Sequence, residues 1–312
     1  MIRKTALASA ILIAALAAIL VWRSLMLQPV DLPQASLVRP SVLTTATAVI
    51  IPYPNPFSSP QQIMQGIYSA DRDELNVQGS VRGVVVPHHI VAAEDIALGI
   101  RALSSQDVKD IILLSPDHFN RCPALLCTTN RGFETYFGEV GPSDEAQKAL
   151  GDSDLVVKDE ELFAGEHGIY SVLPFIKHYL PQTKVTPLAM VIDYRWQDRK
   201  DELSALLDRI MATGTVLVVS SDFSHYLTLA EADRMDAATI HILQSGDLKS
   251  IASLKNPDQS DCPACLWGLA RMAQKRGYAG PDLLMHTNSA RILNQPDIRR
   301  TTSHFVLVWT EK

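Results

Sequence analysis

The chain has 312 residues, of which 47% are hydrophobic, 20% charged and 6% aromatic. That composition is globular and excludes a disordered or collagen-like chain. The formal net charge is −6, and beyond residue 23 there are 25 basic against 34 acidic residues. An acidic body argues against phosphate-backbone binding, so no nucleic-acid partner is expected.

Met1-Ile2-Arg3-Lys4 precedes an uncharged run of 18 residues, Thr5 to Trp22, in which only Thr5 and Ser9 are polar. As a helix the run would span about 27 Å, against a hydrocarbon thickness of about 30 Å. The run ends in Val21-Trp22-Arg23, with bulky residues where a signal peptidase wants small ones. Residues 1–26 therefore read as an uncleaved signal anchor, a transmembrane helix. Arg3 and Lys4 outnumber Arg23, which puts the body on the extracytoplasmic, periplasmic side of a membrane.

Residues 27–80 read as a Pro-rich spacer, because seven of the 18 prolines fall between Pro29 and Pro60. Pro52-Tyr53-Pro54-Asn55-Pro56 cannot be helical, since each proline restrains itself and its predecessor. Gln61 to Ala70 is the start of a first helix.

From 81 to 312, apolar β-rich runs alternate with helical patterns. Strands are expected at Val81–Val86, Val108–Leu114, Val185–Ile192, Thr215–Ser220, Leu283–His286 and His304–Trp309. Helices are expected at Ala92–Leu103, Pro142–Leu150, Ile169–Tyr179, Asp198–Met211, Leu229–Gln244 and Cys265–Arg276. The alternation predicts a single α/β domain with a central, mostly parallel or mixed sheet flanked by helices, in addition to the N-terminal transmembrane helix. GxGxxG and GxxxxGK[ST] are both absent.

Polar residues gather where strands end. Val84-Val85-Val86 runs into Pro87-His88-His89, Ile111-Ile112-Leu113-Leu114 into Ser115-Pro116-Asp117-His118, and Val216-Leu217-Val218-Val219 into Ser220-Ser221-Asp222-Phe223-Ser224-His225. Ligands of open α/β sheets bind beyond the carboxyl ends of strands, so one rim collects these groups. Glu166-His167 opens a helix near them. Imidazoles suit iron, copper or zinc, and two of them need a third ligand, a carboxylate or a thiolate. In Asp261-Cys262-Pro263-Ala264-Cys265 a loop enters a helix. This CxxC pair reads as a disulfide, as half of a zinc site or as a source of metal ligands. In an exported body, Cys122 and Cys127 would pair.

These segments resemble the Memo family, in particular AmmeMemoRadiSam system protein B. Pro87-His88 matches its Pro-His after the first strand, and Pro116-Asp117-His118 its Pro-Ser-His after the second. Glu166-His167 with Leu173-Pro174-Phe175 matches its Glu-His and Leu-Pro-Phe; Ser220-Ser221-Asp222-Phe223-Ser224-His225 matches Ser-Ser-Asp-Phe-x-His. Cys262-Pro263-Ala264 falls on Cys-Gly-Arg, and Asn288-Ser289 on a late Asn-Ser. Four departures stand out: His89-Ile90-Val91 for Ala-Gly-Tyr, Phe119 after His118, Pro263-Ala264 for Gly-Arg, and the additional Cys265.

The resemblance implies a fold like that of class III extradiol dioxygenases. It implies His88, His118 and Cys262 as ligands of iron or copper, and His225 oriented by Asp222 as the acid–base group. His89, Asp117, Glu166, His167 and Cys265 would line the pocket. It also implies association with radical-SAM and AMMECR-like proteins. Two functions remain open at this point. One is a metal-dependent oxidoreductase. The other is a scaffold that binds metal, peptide or partner without turnover. Hydrolysis is weaker, since no G-x-S-x-G elbow exists.

Overall fold

The computed structural model describes residues 51–55 and 59–312. The Val-, Ile- and Leu-rich runs form the sheet. In chain order its strands and those of a side ribbon are β1 (Ser80–Val86), β2 (Asp110–Pro116), β3 (Leu126–Thr128), β4 (Phe133–Thr135), β5 (Gly138–Val140), β6 (Val156–Lys158), β7 (Lys184–Met190), β8 (Thr215–Ser220), β9 (Phe223–Leu227), β10 (Ala279–Asn288) and β11 (Thr301–Glu311). The helices are α1 (Pro60–Ala70), α2 (Ala93–Arg101), α3 (Asp144–Gly151), α4 (Glu160–Phe163), α5 (His167–Tyr170), α6 (Leu173–Tyr179), α7 (Lys200–Ile210), α8 (Leu229–Ser245), α9 (Leu248–Ile251), α10 (Pro263–Arg276) and α11 (Ser289–Ile292).

The main sheet runs β10-β11-β1-β8-β2-β7-β3-β6, with β9 also on β11; β4 and β5 form a separate ribbon. β1, β8, β2 and β7 are parallel neighbours. β11 pairs antiparallel with β1, β10 and β9, and β3 pairs antiparallel with β7. β8 is buried along its whole length, as a parallel strand covered on both faces must be. Two close approaches show that cover. A Cβ on Gly83 of β1 would lie 2.4 Å from Leu269 of α10, and one on Gly99 of α2 would lie 2.3 Å from Val86. Residues 83 and 86 point to opposite faces of β1, so α10 and α2 sit on opposite sides of the sheet.

Before β1, Tyr53 and the α1 residues Ile63, Ile67 and Ala70 join the same hydrophobic core. The helix expected at Ile169–Tyr179 is two helices, α5 and α6. Pro174 at the start of α6 has no N–H to continue the α5 ladder. α10 begins at Pro263, two residues before the expected Cys265, with proline at a first-turn position where its missing N–H costs nothing.

The expectation of an N-terminal transmembrane helix is corrected. Among the described residues, no helix is long and apolar enough to cross a membrane. The longest of them, α8, has 17 residues and carries Glu231, Asp233, Arg234 and Asp236. Residues 1–26, on which the expectation fell, lie outside the described residues. The described fold is the α/β domain with its mixed sheet.

Candidate metal centre

Because β1, β8 and β2 are parallel neighbours, their carboxyl ends deliver His88, Asp222 and His118 side by side. His88 is buried, and its Nδ1 lies 3.0 Å from Ser220 Oγ. Ser220 donates its own hydrogen to the Gly168 carbonyl at 2.7 Å, so its Oγ accepts from His88. Nδ1 therefore carries the proton, and Nε2 is the atom that faces the site.

His118 is fixed in the same sense. Its Nδ1 donates to Glu166 Oε1 at 2.6 Å, and its backbone N–H to Glu166 Oε2 at 3.0 Å. Glu166 is fully buried and caps α5, accepting from the Gly168 N–H at 2.9 Å. Only glycine fits at 168, because a Cβ there would lie 2.2 Å from Ser115 Oγ and 3.2 Å from His118 Cε1.

Both Nε2 atoms lie within 4 Å of Asp261, the residue before Cys262. Asp261 Oδ2 lies 3.2 Å from His88 Nε2 and 3.9 Å from His118 Nε2. Its other oxygen accepts from Ser221 Oγ at 2.8 Å and from the Asp222 N–H at 3.2 Å. Two sets of donor atoms, each within 4.8 Å of one another, share His88: one with His118 and His167, the other with Asp222 and Asp261.

Asp222 is tied to other partners than the expected one. Its Oδ1 accepts the His88 backbone N–H at 3.2 Å and lies 3.3 Å from His304 Nδ1, and its Oδ2 is 3.5 Å from His88 Nε2. His225 lines the pocket, and among the described residues its buried Nδ1 has no hydrogen-bond partner. The His167 ring packs at 3.9 Å on that of His118. The pocket of about 460 Å³ also takes in His89, Ile90, Tyr226 and Thr302. Tyr226 holds φ at 61° and has Arg300 over its ring at 5.0 Å. That backbone is strained for a bulky residue.

Asp117 faces its own loop instead of the pocket, accepting from the N–H groups of Phe119, Arg121 and Cys122. Cys262 and Cys265 are joined in a disulfide, as are Cys122 and Cys127. In that form Cys262 presents no thiolate, and Asp261, one residue earlier, reaches both imidazoles instead.

Charge follows this geometry. Burial opposes a charge on His88, but Asp222 and Asp261 outweigh it and raise its pKa. Burial also opposes a charge on His118, and the carboxylates of Asp261 and Glu166 push its pKa up to about 10. His167 is pushed down to about 4 by burial and by the positive His118 and His88. Burial lowers His89 as well. Against their own burial, Asp261 is held below the usual carboxylate range by His88 and His118, and Glu166 by His118. Two imidazoles and their carboxylates thus form a preorganised, nearly balanced charge cluster.

The Memo family model, described as Memo-like protein, matches residues 53–290. The chain belongs to the Memo family. It is 26% identical over 247 residues to a MEMO1 family protein of Thermoplasma volcanium, covering 77% of this chain and 90% of that one. It is also 26% identical to one of Thermoplasma acidophilum (70% and 82% covered) and 24% identical to one of Nitrosopumilus maritimus (71% and 82% covered). The Memo match spans His88, His118, Glu166, His167, Asp222, His225 and Asp261 and stops before His304. Asp261 had a signal in the sequence: a site of two imidazoles lacked a third ligand, and this carboxylate directly precedes Cys262. Ser220 opens the Ser-Ser-Asp-Phe-x-His segment, but its bond to His88 and the approach of His304 to Asp222 follow only from the packing of strands distant in the chain.

Proposed function

We propose that this Memo-family chain holds a divalent transition metal, iron in preference to copper, between His88, His118 and Asp261, and that the pocket around it oxidises a small substrate. What carries the reading is the meeting of two Nε2 atoms at one oxygen of Asp261, with each Nδ1 committed to Ser220 or Glu166. Two imidazoles and a carboxylate with open positions make the donor set of non-haem iron oxygenases. A thiolate in place of the carboxylate would favour copper, but the sulfurs of Cys262 and Cys265 are bonded to each other. When bound, the metal supplies Lewis acidity and one-electron redox chemistry.

The protein's own residues then have separate tasks. Ser220 and Glu166 fix the tautomer and the plane of the two imidazoles, as partners behind metal-ligating histidines do. Asp222 holds the His88 backbone and His304. His225, with Nδ1 uncommitted, is the acid–base residue of this reading. His89, His167 and Tyr226 shape the substrate space.

Metal content of the purified full chain tests the reading. Near-stoichiometric iron in the parent, lost in His88→Ala, His118→Ala and Asp261→Ala, is the expected result. A metal-free parent after iron reconstitution overturns it. Iron-loaded His225→Ala then separates enzyme from scaffold: on the enzyme reading it keeps its metal and loses substrate-dependent oxygen consumption.

A further inference from the structure

Asp261 is followed at once by a buried disulfide. Cys262 and Cys265 bracket Pro263 and Ala264, which open the 14-residue α10. The bridge and the carboxylate belong to one hydrogen-bonded unit. The Cys262 N–H donates to Ser260 Oγ at 3.0 Å, Ser260 Oγ lies 2.9 Å from Ser221 Oγ, and Ser221 donates to Asp261 Oδ1 at 2.8 Å. Asp261 itself sits on the loop between α9 and α10, so its position depends on how that loop enters α10.

Disulfide stabilisation of a whole domain grows with the length of chain the bond closes. This one spans three residues of separation, from the N-cap Cys262 into the first turn of α10, which the Leu266 N–H already ties to the Cys262 carbonyl. Its effect is therefore local: it locks Cys262 to the first turn of α10, directly after Asp261. Asp261 carries the oxygen shared by His88 and His118. The bridge also has its own side of the molecule. Pro263 and Ala264 line a cavity of about 630 Å³, with Tyr194, Asn256 and Asp258, that shares no lining residue with the histidine pocket. The sulfurs are covered, so exchange requires that first turn to open toward this cavity.

We propose that Cys262–Cys265 is a redox-active pair, exchanged by a dithiol, that sets how tightly the centre holds its metal. The proposal rests on the metal site argued above. One thiolate of the reductant attacks a cysteine sulfur, forming a mixed disulfide and expelling the other cysteine as a thiolate, which takes up a proton. The reductant's second thiol attacks the mixed disulfide, releases the second cysteine and leaves as a disulfide. Two electrons and two protons pass to the protein, and the metal keeps its oxidation state. The reduced protein loses the covalent lock beside Asp261 and holds the ion more weakly.

The test uses the full chain, ferrous ion as the probe and anaerobic titration. Protein is treated with dithiothreitol without denaturant, desalted, and divided between alkylation with mass analysis and calorimetry. Expected are alkylation of both Cys262 and Cys265 and a fall of about tenfold in affinity for ferrous ion, within the range that groups supporting a ligand contribute. Reoxidation restores the tight state. Cys265→Ser starts in the weak state and ignores the reductant, whereas Cys122→Ser/Cys127→Ser responds like the parent. Equal or tighter affinity in the reduced state overturns the proposal, as does a Cys262–Cys265 pair that resists alkylation until the chain is unfolded. A response that disappears with the Cys122–Cys127 bridge instead overturns it too. If Cys265→Ser does not fold, the parent and the Cys122–Cys127 variant still decide. Failure of the oxidised parent to bind ferrous ion is a different result, because it removes the metal site itself.

Discussion

Glu166 grips His118 twice, by its ring Nδ1 at 2.6 Å and by its backbone N–H at 3.0 Å. One buried carboxylate thereby sets both the tautomer of the imidazole and the path of the loop after β2. Glu166→Gln keeps the shape but loses the charge, and Glu166→Ala loses both. Affinity for ferrous ion is expected to fall roughly 10- to 100-fold in Glu166→Ala and less in Glu166→Gln. Unchanged affinity in both variants would mean that His118 is held by packing alone.

Gly168 gives a steric prediction. Its α-carbon approaches so closely that an added methyl would sit 2.2 Å from Ser115 Oγ and 3.2 Å from His118 Cε1. Gly168→Ala is expected to lose about 1–3 kcal/mol of stability, the usual cost of overpacking. It is also expected to weaken metal binding, because the Gly168 carbonyl holds Ser220 behind His88. Denaturant midpoints and a metal titration check the two effects separately.

Metal binding should release protons. Burial disfavours charge on His118, yet Asp261 and Glu166 keep its pKa near 10, so without metal the ring is protonated at neutral pH. A metal must displace the proton on Nε2, and affinity therefore rises with pH, by about tenfold per unit for each proton displaced. Zinc titrations between pH 6 and 7.5 check the slope, and an affinity that is flat across that range contradicts the charge state assigned to His118.

Asp95 offers a linkage test. It is buried on α2, its Oδ2 lacks a hydrogen-bond partner among the described residues, and burial pushes its pKa up to about 7. An unfolded aspartate titrates near about 3.9. Between those values the folded chain carries a proton the unfolded chain lacks, so stability falls as pH rises from about 4 to about 7 and stays lowered above. Asp95→Asn cannot ionise. It should match the parent near pH 4 and exceed it at pH 8, by at most about 4 kcal/mol. Urea midpoints of the two proteins across that range decide it.

What could be read from the residues alone follows from how local each signal is. The buried strands announce themselves as apolar runs, and the polar residues at their ends point to His88, His118 and Asp222. That β1, β8 and β2 are neighbours, and so that these residues meet, is a long-range fact of sheet order. The three-residue strands β3, β4, β5 and β6 are too short to show a period, and β9 directly follows Asp222 in what reads as a loop. Asp261 is a loop carboxylate whose contacts with His88 and His118 join segments more than 140 residues apart, which no local spacing shows. The pairing of Asp222 with His304, in place of His225, depends on β11 passing behind the site, and no spacing in the chain encodes it.

The claim on which the rest depends is that an oxygen of Asp261, not a cysteine sulfur, completes the centre. X-ray absorption at the metal edge of the oxidised, zinc-loaded chain tests it directly. Expected is a shell of nitrogen and oxygen scatterers only, at about 2.0–2.2 Å, that changes in Asp261→Ala. A sulfur scatterer at about 2.3 Å, present in the parent and absent from Cys262→Ser, would contradict it.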